Sequence, residues 1–392
     1  MGKSFFTIGI IYLILFEVAR VYLIMPMPGS QQSDSIDIAY FLGRYQWVFR
    51  IIGFLLIAYG GYKIWTDGTK RSKWLAGIGL LIYGAVAYMF NLEMEADKMF
   101  LQPTYTVFAS EQQNKVKANK LVISTNLNGD AKAYPIQLIG YHHQVVDSIG
   151  GQPAMITYCT VCRTGRIFSP IVDGKLETFR LVGMDHFNAM FEDQTTKSWW
   201  AQATGLCIAG PRKGMQLTEI PSEQLTIASW LRQYPNGKIL QPDSTFKEIF
   251  EKMDVYDKGL SKSDLTKRDS SSWNKKSWVI GISEKGIAKT YDWNLLVNER
   301  LIQDSLPGLP LLIALESDSS SFHALSRMVD QQALQFRINA DSLIDQQTGS
   351  GWNMYGTATS GPMKGKQLRK IKAYQEFLHS WEQFHPKTSR QN

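Results

Sequence analysis

The chain has 392 residues, 44% of them hydrophobic and 20% charged, with a formal net charge of +7. That length holds two or three domains, and that apolar content supplies a sizeable core. Three cysteines are too few for a disulfide framework, and no basic stripe with interleaved aromatics is present, so a nucleic-acid partner is set aside.

Three apolar stretches come first. Residues 5–25 are interrupted by Glu17 and Arg20, residues 47–65 carry Arg50 and Lys63 near their ends, and residues 74–90 carry no charge. A helix needs about 20 apolar residues to cross a bilayer, with about 17 as the lower limit, so all three qualify as transmembrane helices. Lys3 and residues 5–16 have the shape of a signal peptide. No small-residue cleavage site follows and two further spans do, so the first span is expected to be retained. Lys70, Arg71 and Lys73 make the 66–73 loop cytoplasmic by the positive-inside rule. Three crossings then deliver the rest of the chain outside. The expected location is a bacterial inner membrane, with the C-terminal part in the periplasm and the lipid bilayer as the first partner. Glu17 and Arg20 lie three apart on one helical face, where they can neutralise each other or meet a neighbouring helix or a membrane-protein partner.

Residues 1–92 are thus read as an anchor and 93–118 as a polar linker. Beyond it the chain repeats itself. A-K-A-Y with Lys132 and Tyr134 matches A-K-T-Y with Lys289 and Tyr291. At the same offset Gly151 falls on Gly308, Pro153 on Pro310 and Ile156 on Ile313. D-Q-T-T-K-S-W-W from Asp193 matches D-Q-Q-T-G-S-G-W from Asp345. G-P-R-K-G-M-Q-L from Gly210 matches G-P-M-K-G-K-Q-L from Gly361, and Trp230 falls on Trp381. The pattern predicts a duplication: a first repeat at 119–250, a polar connector at 251–276 and a second repeat at 277–390. In the first repeat, residues 121–125, 131–134, 154–158, 176–182 and 189–192 have strand character. Residues 135–146 read as a short helix with proline in its first turn, and residues 225–234 as a second, stopped by Pro235-Asn236-Gly237. The predicted fold class is α+β: three transmembrane helices, then a duplicated β-rich α+β extracytoplasmic domain.

The chemistry concentrates at A-M-I-T-Y-C-T-V-C, residues 154–162. A strand runs into a C-x-x-C turn, which holds the sulfurs of Cys159 and Cys162 a few ångströms apart. Two sulfurs so placed suit a soft metal ion, copper or zinc. A closed zinc site takes about four ligands. His142, at the end of the preceding helix, is the best third ligand, with Asp147, His186 and Cys207 as weaker fourths. The same spacing serves thiol–disulfide exchange, although T-G-R-I-F-S-P after the pair is poor helix for a thioredoxin-like centre. A structural disulfide outside the cell is the third reading. In the second repeat Cys159 falls on Glu316, Cys162 on Ser319 and His142 on Glu299, as if a shared site were lost as a unit. Trp199, Trp200 and Trp352 read as core, and His379 and His385 as exposed.

The soluble part resembles a bacterial family known as domain of unknown function 3179. The resemblance rests on A-K-A-Y-P at 131–135, Y-H-H-Q-V-V-D at 141–147, I-G-G-Q-P at 149–153 and T-Y-C-T-V-C at 157–162, and spans roughly 120–390. It implies that the cysteine pair and His142 are features of the type, and carries no activity. The chain departs from the family pattern at Tyr141 for tryptophan, at His143 for glutamate, and at Arg163 directly after Cys162, near a position that is usually glycine-like. Three functions stay open on sequence: soft-metal binding in metal handling or membrane-complex assembly, thiol–disulfide oxidoreduction, and a non-catalytic accessory role in a membrane complex.

Overall fold

The computed structural model describes residues 2–391. It divides into two compact units that do not follow chain order.

The first unit holds the residues up to Leu101 together with Glu177–Ala201 and Leu206–Gln216. Its helices are α1 (Gly2–Tyr22), α2 (Ile36–Arg44), α3 (Gln46–Asp67) and α4 (Lys70–Tyr88). Three of them, α1, α3 and α4 with its extension to Glu93, are long and apolar enough to cross a membrane. Their outward residues are large and apolar, among them Ile8, Leu15, Leu55 and Leu81, as contact with hydrocarbon requires. α1 and α3 approach closely because α3 offers glycines: a Cβ at Gly60 would meet the Phe6 backbone nitrogen at 2.4 Å. Glu17 is fully buried and takes two hydrogen bonds from Arg50 of α3, at 2.8 and 2.9 Å, and one from Asn91 at 3.0 Å. Its main partner is therefore a neighbouring helix, with Arg20 farther off at 3.7 Å. α2 was not expected. The same unit contains an antiparallel sheet with strand order Cys207–Ala209, Trp199–Ala201, Asn188–Asp193, Phe179–Asp185.

The second unit is β-rich. One sheet orders Phe108–Ala109, Lys238–Leu240, Asp130–Pro135, Leu121–Leu127 and Glu223–Thr226; another orders Glu219–Ile220, Thr164–Phe168, Gln152–Cys159 and Gln144–Ile149. The Ile136–His142 helix connects them. A similar succession recurs later. Trp278–Glu284 pairs with Ile287–Asp292, the Trp293–Glu299 helix follows, and Leu301–Leu306, Leu309–Leu315 and Phe322–Ser326 form a meander. Each stretch then closes with a strand and helix, Glu223–Thr226 with Ile227–Gln233, and Ala373–Phe377 with Leu378–Phe384.

The repeated A-K-x-Y motif has a structural reason. The Lys132 ammonium and Tyr134 hydroxyl both donate to Asp147, at 2.8 and 2.6 Å. Lys289 pairs with Asp304 at 2.7 Å, and Tyr291 donates to the same carboxylate at 3.0 Å. Each trio pins its first hairpin to the strand after its helix, and each tyrosine hydroxyl is pushed well above its ordinary pKa, first by burial and then by the carboxylate. Asp147 is thereby occupied.

Element bounds differ from expectation in four places, one of them the 225–234 helix, which begins at Ile227 because Glu223–Thr226 is a strand. The 135–146 helix ends at His142, because His143 takes the left-handed conformation (φ 60°) and Gln144–Ile149 is a strand. Pro135 precedes that helix instead of opening it. The strand foreseen at 176–182 is two, Lys175–Leu176 and Phe179–Asp185.

Candidate functional site: a buried dithiol turn

The Gln152–Cys159 strand is delivered by the Gly150-Gly151 turn, both residues at positive φ (55° and 77°). A Cβ at Gly150 would lie 2.2 Å from the Leu127 carbonyl oxygen, so glycine is required there. The strand pairs with Gln144–Ile149 on one side and Thr164–Phe168 on the other, Cys159 opposite Thr164. Between that last pair the chain reverses through Thr160, Val161, Cys162 and Arg163. Arg163 sits at φ 58°, in the left-handed region that favours glycine. Here the strained arginine is held in place: its Nε donates to Gln375 at 2.8 Å, and its guanidinium lies 3.8 Å over the Trp278 ring.

Three carbonyls of this turn are each satisfied from elsewhere in the chain. Tyr256 Oη donates to Thr160 O at 2.9 Å, Lys276 Nζ to Val161 O at 2.7 Å, and the Phe377 amide to Cys162 O at 3.0 Å. The turn is therefore rigid. Cys159 and Cys162 are not joined in a disulfide and have no exposed surface. They lie within hydrogen-bonding reach of each other, and the Ser380 hydroxyl reaches Cys162 as well. Burial raises the Cys162 thiol well above its usual pKa and neighbouring Cys159 adds to this, while Ser380 and Lys276 oppose them. Burial lowers the Lys276 ammonium, and the two sulfurs act the other way. Lys276 donates to two carbonyls, of Val161 and Leu265 (2.5 Å), and forms no ion pair with a carboxylate among the described residues.

His142 closes its helix, buried, its ring 4.9 Å from Phe246, 5.1 Å from Tyr141 and 5.7 Å from Phe250. Among the described residues no group of three or more His, Cys, Asp or Glu side chains is arranged to hold a metal ion. His143 bonds backbone-to-backbone with Tyr158 (3.0 Å), and burial drops its imidazole to about 4. The weaker fourth ligands have other employment. His186 contacts Asp185 at 2.9 Å and Asp34 at 3.3 Å, and Cys207 belongs to the first compact unit, its thiol pushed up to about 11 by burial. His379 and His385 are not free at the surface. His379 Nε2 lies 3.4 Å from Val161 O with its pKa lowered to about 3 by burial, and His385 stacks 3.8 Å from Trp381.

Sequence reasoning missed Lys276 and Ser380, which meet the dithiol turn from positions more than a hundred residues further along the chain. A signal for Ser380 was present: Ser-Trp recurs at Ser229-Trp230 and Ser380-Trp381, at the start of both closing helices.

Fold and site together define a mixed α+β protein with an apolar helical N-terminal region and a buried dithiol turn. Residues 101–388 match the protein family described as "Protein of unknown function (DUF3179)", and the chain belongs to that family. No curated protein and no solved structure matches it.

Proposed function

We propose that this chain is a membrane-anchored protein whose Cys159–Cys162 turn binds a soft monovalent metal ion, copper(I), through two thiolate sulfurs. One observation carries the reading: Lys276 is a largely buried ammonium set beside two sulfurs, held by two carbonyls and the Phe377 ring and, among the described residues, by no carboxylate. A buried charge calls for an opposite one. Two thiolates and one monovalent cation leave a single negative charge, which the lysine balances. Soft thiolates select copper(I) on grounds of ligand softness. Zinc, the other soft ion the sequence suggested, would neutralise the thiolates by itself and call for further ligands, with His142 the first of them.

The test is a copper(I) titration of the reduced full chain in detergent, against a competing chelator. One equivalent is expected, lost in Cys159→Ser and retained in His142→Ala. Stoichiometric copper surviving Cys159→Ser would sink the proposal. An affinity that collapses equally in His142→Ala would move it to a three-ligand site.

A second reading is favoured by the contact between the two sulfurs, which needs little movement to become a disulfide: thiol–disulfide exchange. A reversible two-electron titration within the physiological range, with no copper bound, would select it. An accessory role would show as co-purification with another membrane protein, unaffected by either cysteine change. The same proposal takes the 66–73 loop as cytoplasmic and the β-rich part as periplasmic, from Lys70, Arg71 and Lys73. It also takes the recurring motifs and element order as the trace of a duplication.

A further inference from the structure

The first compact unit contains a cavity of about 380 Å³ that the dithiol chemistry does not use. Arg20, Arg44, Arg180, Lys197, Tyr40 and Trp199 line it. Arg20 ends α1 and Arg44 ends α2 just before α3 begins, so the cavity lies at the end of the apolar helices opposite the 66–73 loop. Beside it α2 and the start of α3 expose Ile38, Phe41, Tyr45 and Trp47, residues suited to a bilayer interface. Two lining cations are internally paired, Arg20 with Glu95 at 3.6 Å and Arg180 with Glu192 at 2.9 Å. Arg44 and Lys197 are exposed and, among the described residues, form no ion pair.

The chain supplies its own control. The D-Q-x-T block occurs twice with the same internal bonding. Asp193 takes the Thr196 amide at 2.6 Å and the Trp200 indole at 2.9 Å; Asp345 takes the Thr348 amide at 2.6 Å and the Trp352 indole at 3.0 Å. The blocks part at cavity-lining positions. Lys197 stands where the other block has Gly349, and Trp199 where it has Gly351. Lys197 takes φ 61°, a conformation its counterpart meets with glycine at φ 71°. A lysine kept where glycine fits better, with its cation on a cavity at the membrane end, asks for an anion. Trp199 is fixed by an indole bond to Glu192 at 3.0 Å and an edge contact with Tyr40 at 5.1 Å, giving the cavity an aromatic wall.

We infer that this cavity binds the phosphate headgroup of an anionic phospholipid. Arg44 and Lys197 are the charge contacts, and the acyl chains run along the apolar faces of α2 and α3. The inference rests on the membrane reading of α1, α3 and α4, and is independent of the copper reading. The experiment is native mass spectrometry of the detergent-purified full chain, loaded with phosphatidylglycerol or phosphatidylcholine. Retention of one phosphatidylglycerol is expected, weakened about fivefold in Lys197→Gly and again in Arg44→Gln, with phosphatidylcholine unbound. Lys197→Gly installs the residue of the matching block, so its fold is expected to survive, and a thermal melt checks that. Lys70→Gln, at the other end of the helices, should leave retention unchanged. Equal retention in wild type and Lys197→Gly, or an equal loss in Lys70→Gln, overturns the site. Displacement by inorganic phosphate overturns its assignment to lipid. A chain that stays soluble without detergent would instead remove the membrane reading.

Discussion

Cys159-Thr160-Val161-Cys162 and Glu316-Ser317-Asp318-Ser319 are matching turns, and each is met by the first turn of a closing helix from the other stretch. Ser380 reaches Cys162, and Ser229 donates to Glu316 at 2.6 Å. The difference lies in how charge is settled. Glu316 is buried but fully answered: Arg232 pairs with it, His323 Nε2 lies 2.8 Å away, and Ser229 completes the set. That turn is a structural clasp. The cysteine turn has a cation, Lys276, that pairs with no carboxylate among the described residues. Matching architecture carries a closed electrostatic balance in one stretch and an open one in the other, and an open balance is where an added ion fits.

The largest effect should come from breaking the closed turn. Glu316→Ala leaves the buried Ser229 and His323 without their carboxylate partner and the half-exposed Arg232 without its ion pair, and each buried polar group left unsatisfied costs about 1–3 kcal/mol. Arg166 and Glu376, buried and 2.5 Å apart, should respond similarly to Glu376→Ala. Chemical denaturation of the chain in detergent measures both. Cysteine substitutions at 159 or 162 should cost less, because they leave no charge stranded. A smaller loss in Glu316→Ala than in Cys159→Ala would reverse the assignment of roles.

Next comes the open turn. Lys276→Met keeps the alkyl stem and removes the charge. A charge-assisted contact is worth about 1.5–3 kcal/mol, so copper(I) affinity should fall about tenfold to a hundredfold. Arg232→Met, beside the other turn, should leave it unchanged. Equal affinities in Lys276→Met and wild type would remove the observation on which the copper reading stands.

Acid gives a third, smaller separation. His143 is buried in its neutral form at about 4, against about 6.5 for a free imidazole. Its folded pKa is the lower one, so between those values the unfolded chain binds the extra proton. Stability is then full above pH 6.5 and falls as pH drops toward 4, by about 1.4 kcal/mol per pH unit at most. His143→Gln should flatten that slope. His379, lowered to about 3, adds to the same trend and stays in place as the internal reference.

These contrasts also explain what could be read from the sequence. The three helices long and apolar enough to cross a membrane were legible because length and apolarity alone decide them. The hairpins were legible because alternating apolar residues meet glycine turns. The C-x-x-C was legible because its two cysteines are neighbours in sequence. Lys276, Ser380 and the sharing of Glu177–Ala201 with the helical unit were not, since each depends on contacts between residues distant in sequence. α2 was hidden by its length, as nine residues between two long apolar runs carry little periodic signal. The early stop of the Ile136–His142 helix was hidden because a histidine, where glycine would have announced it, takes the left-handed cap.

The smallest effect separates the two D-Q-x-T blocks. Holding a lysine at φ 61° costs about 1–2 kcal/mol, and glycine at the same place relieves that strain but gives the unfolded chain more freedom, worth about 0.5–1 kcal/mol. Lys197→Gly should therefore raise stability by at most about 1.5 kcal/mol, and by nothing where the two terms cancel. Gly349→Lys should move the opposite way by a similar amount, since it introduces the strain and has no counterpart to the cavity beside Lys197. Measured as a pair, the substitutions divide backbone cost from ligand benefit. If Lys197→Gly is destabilising in phosphatidylglycerol and neutral in phosphatidylcholine, the lysine is retained for the anion it meets. If it is destabilising by the same amount in both, its side chain serves the sheet itself.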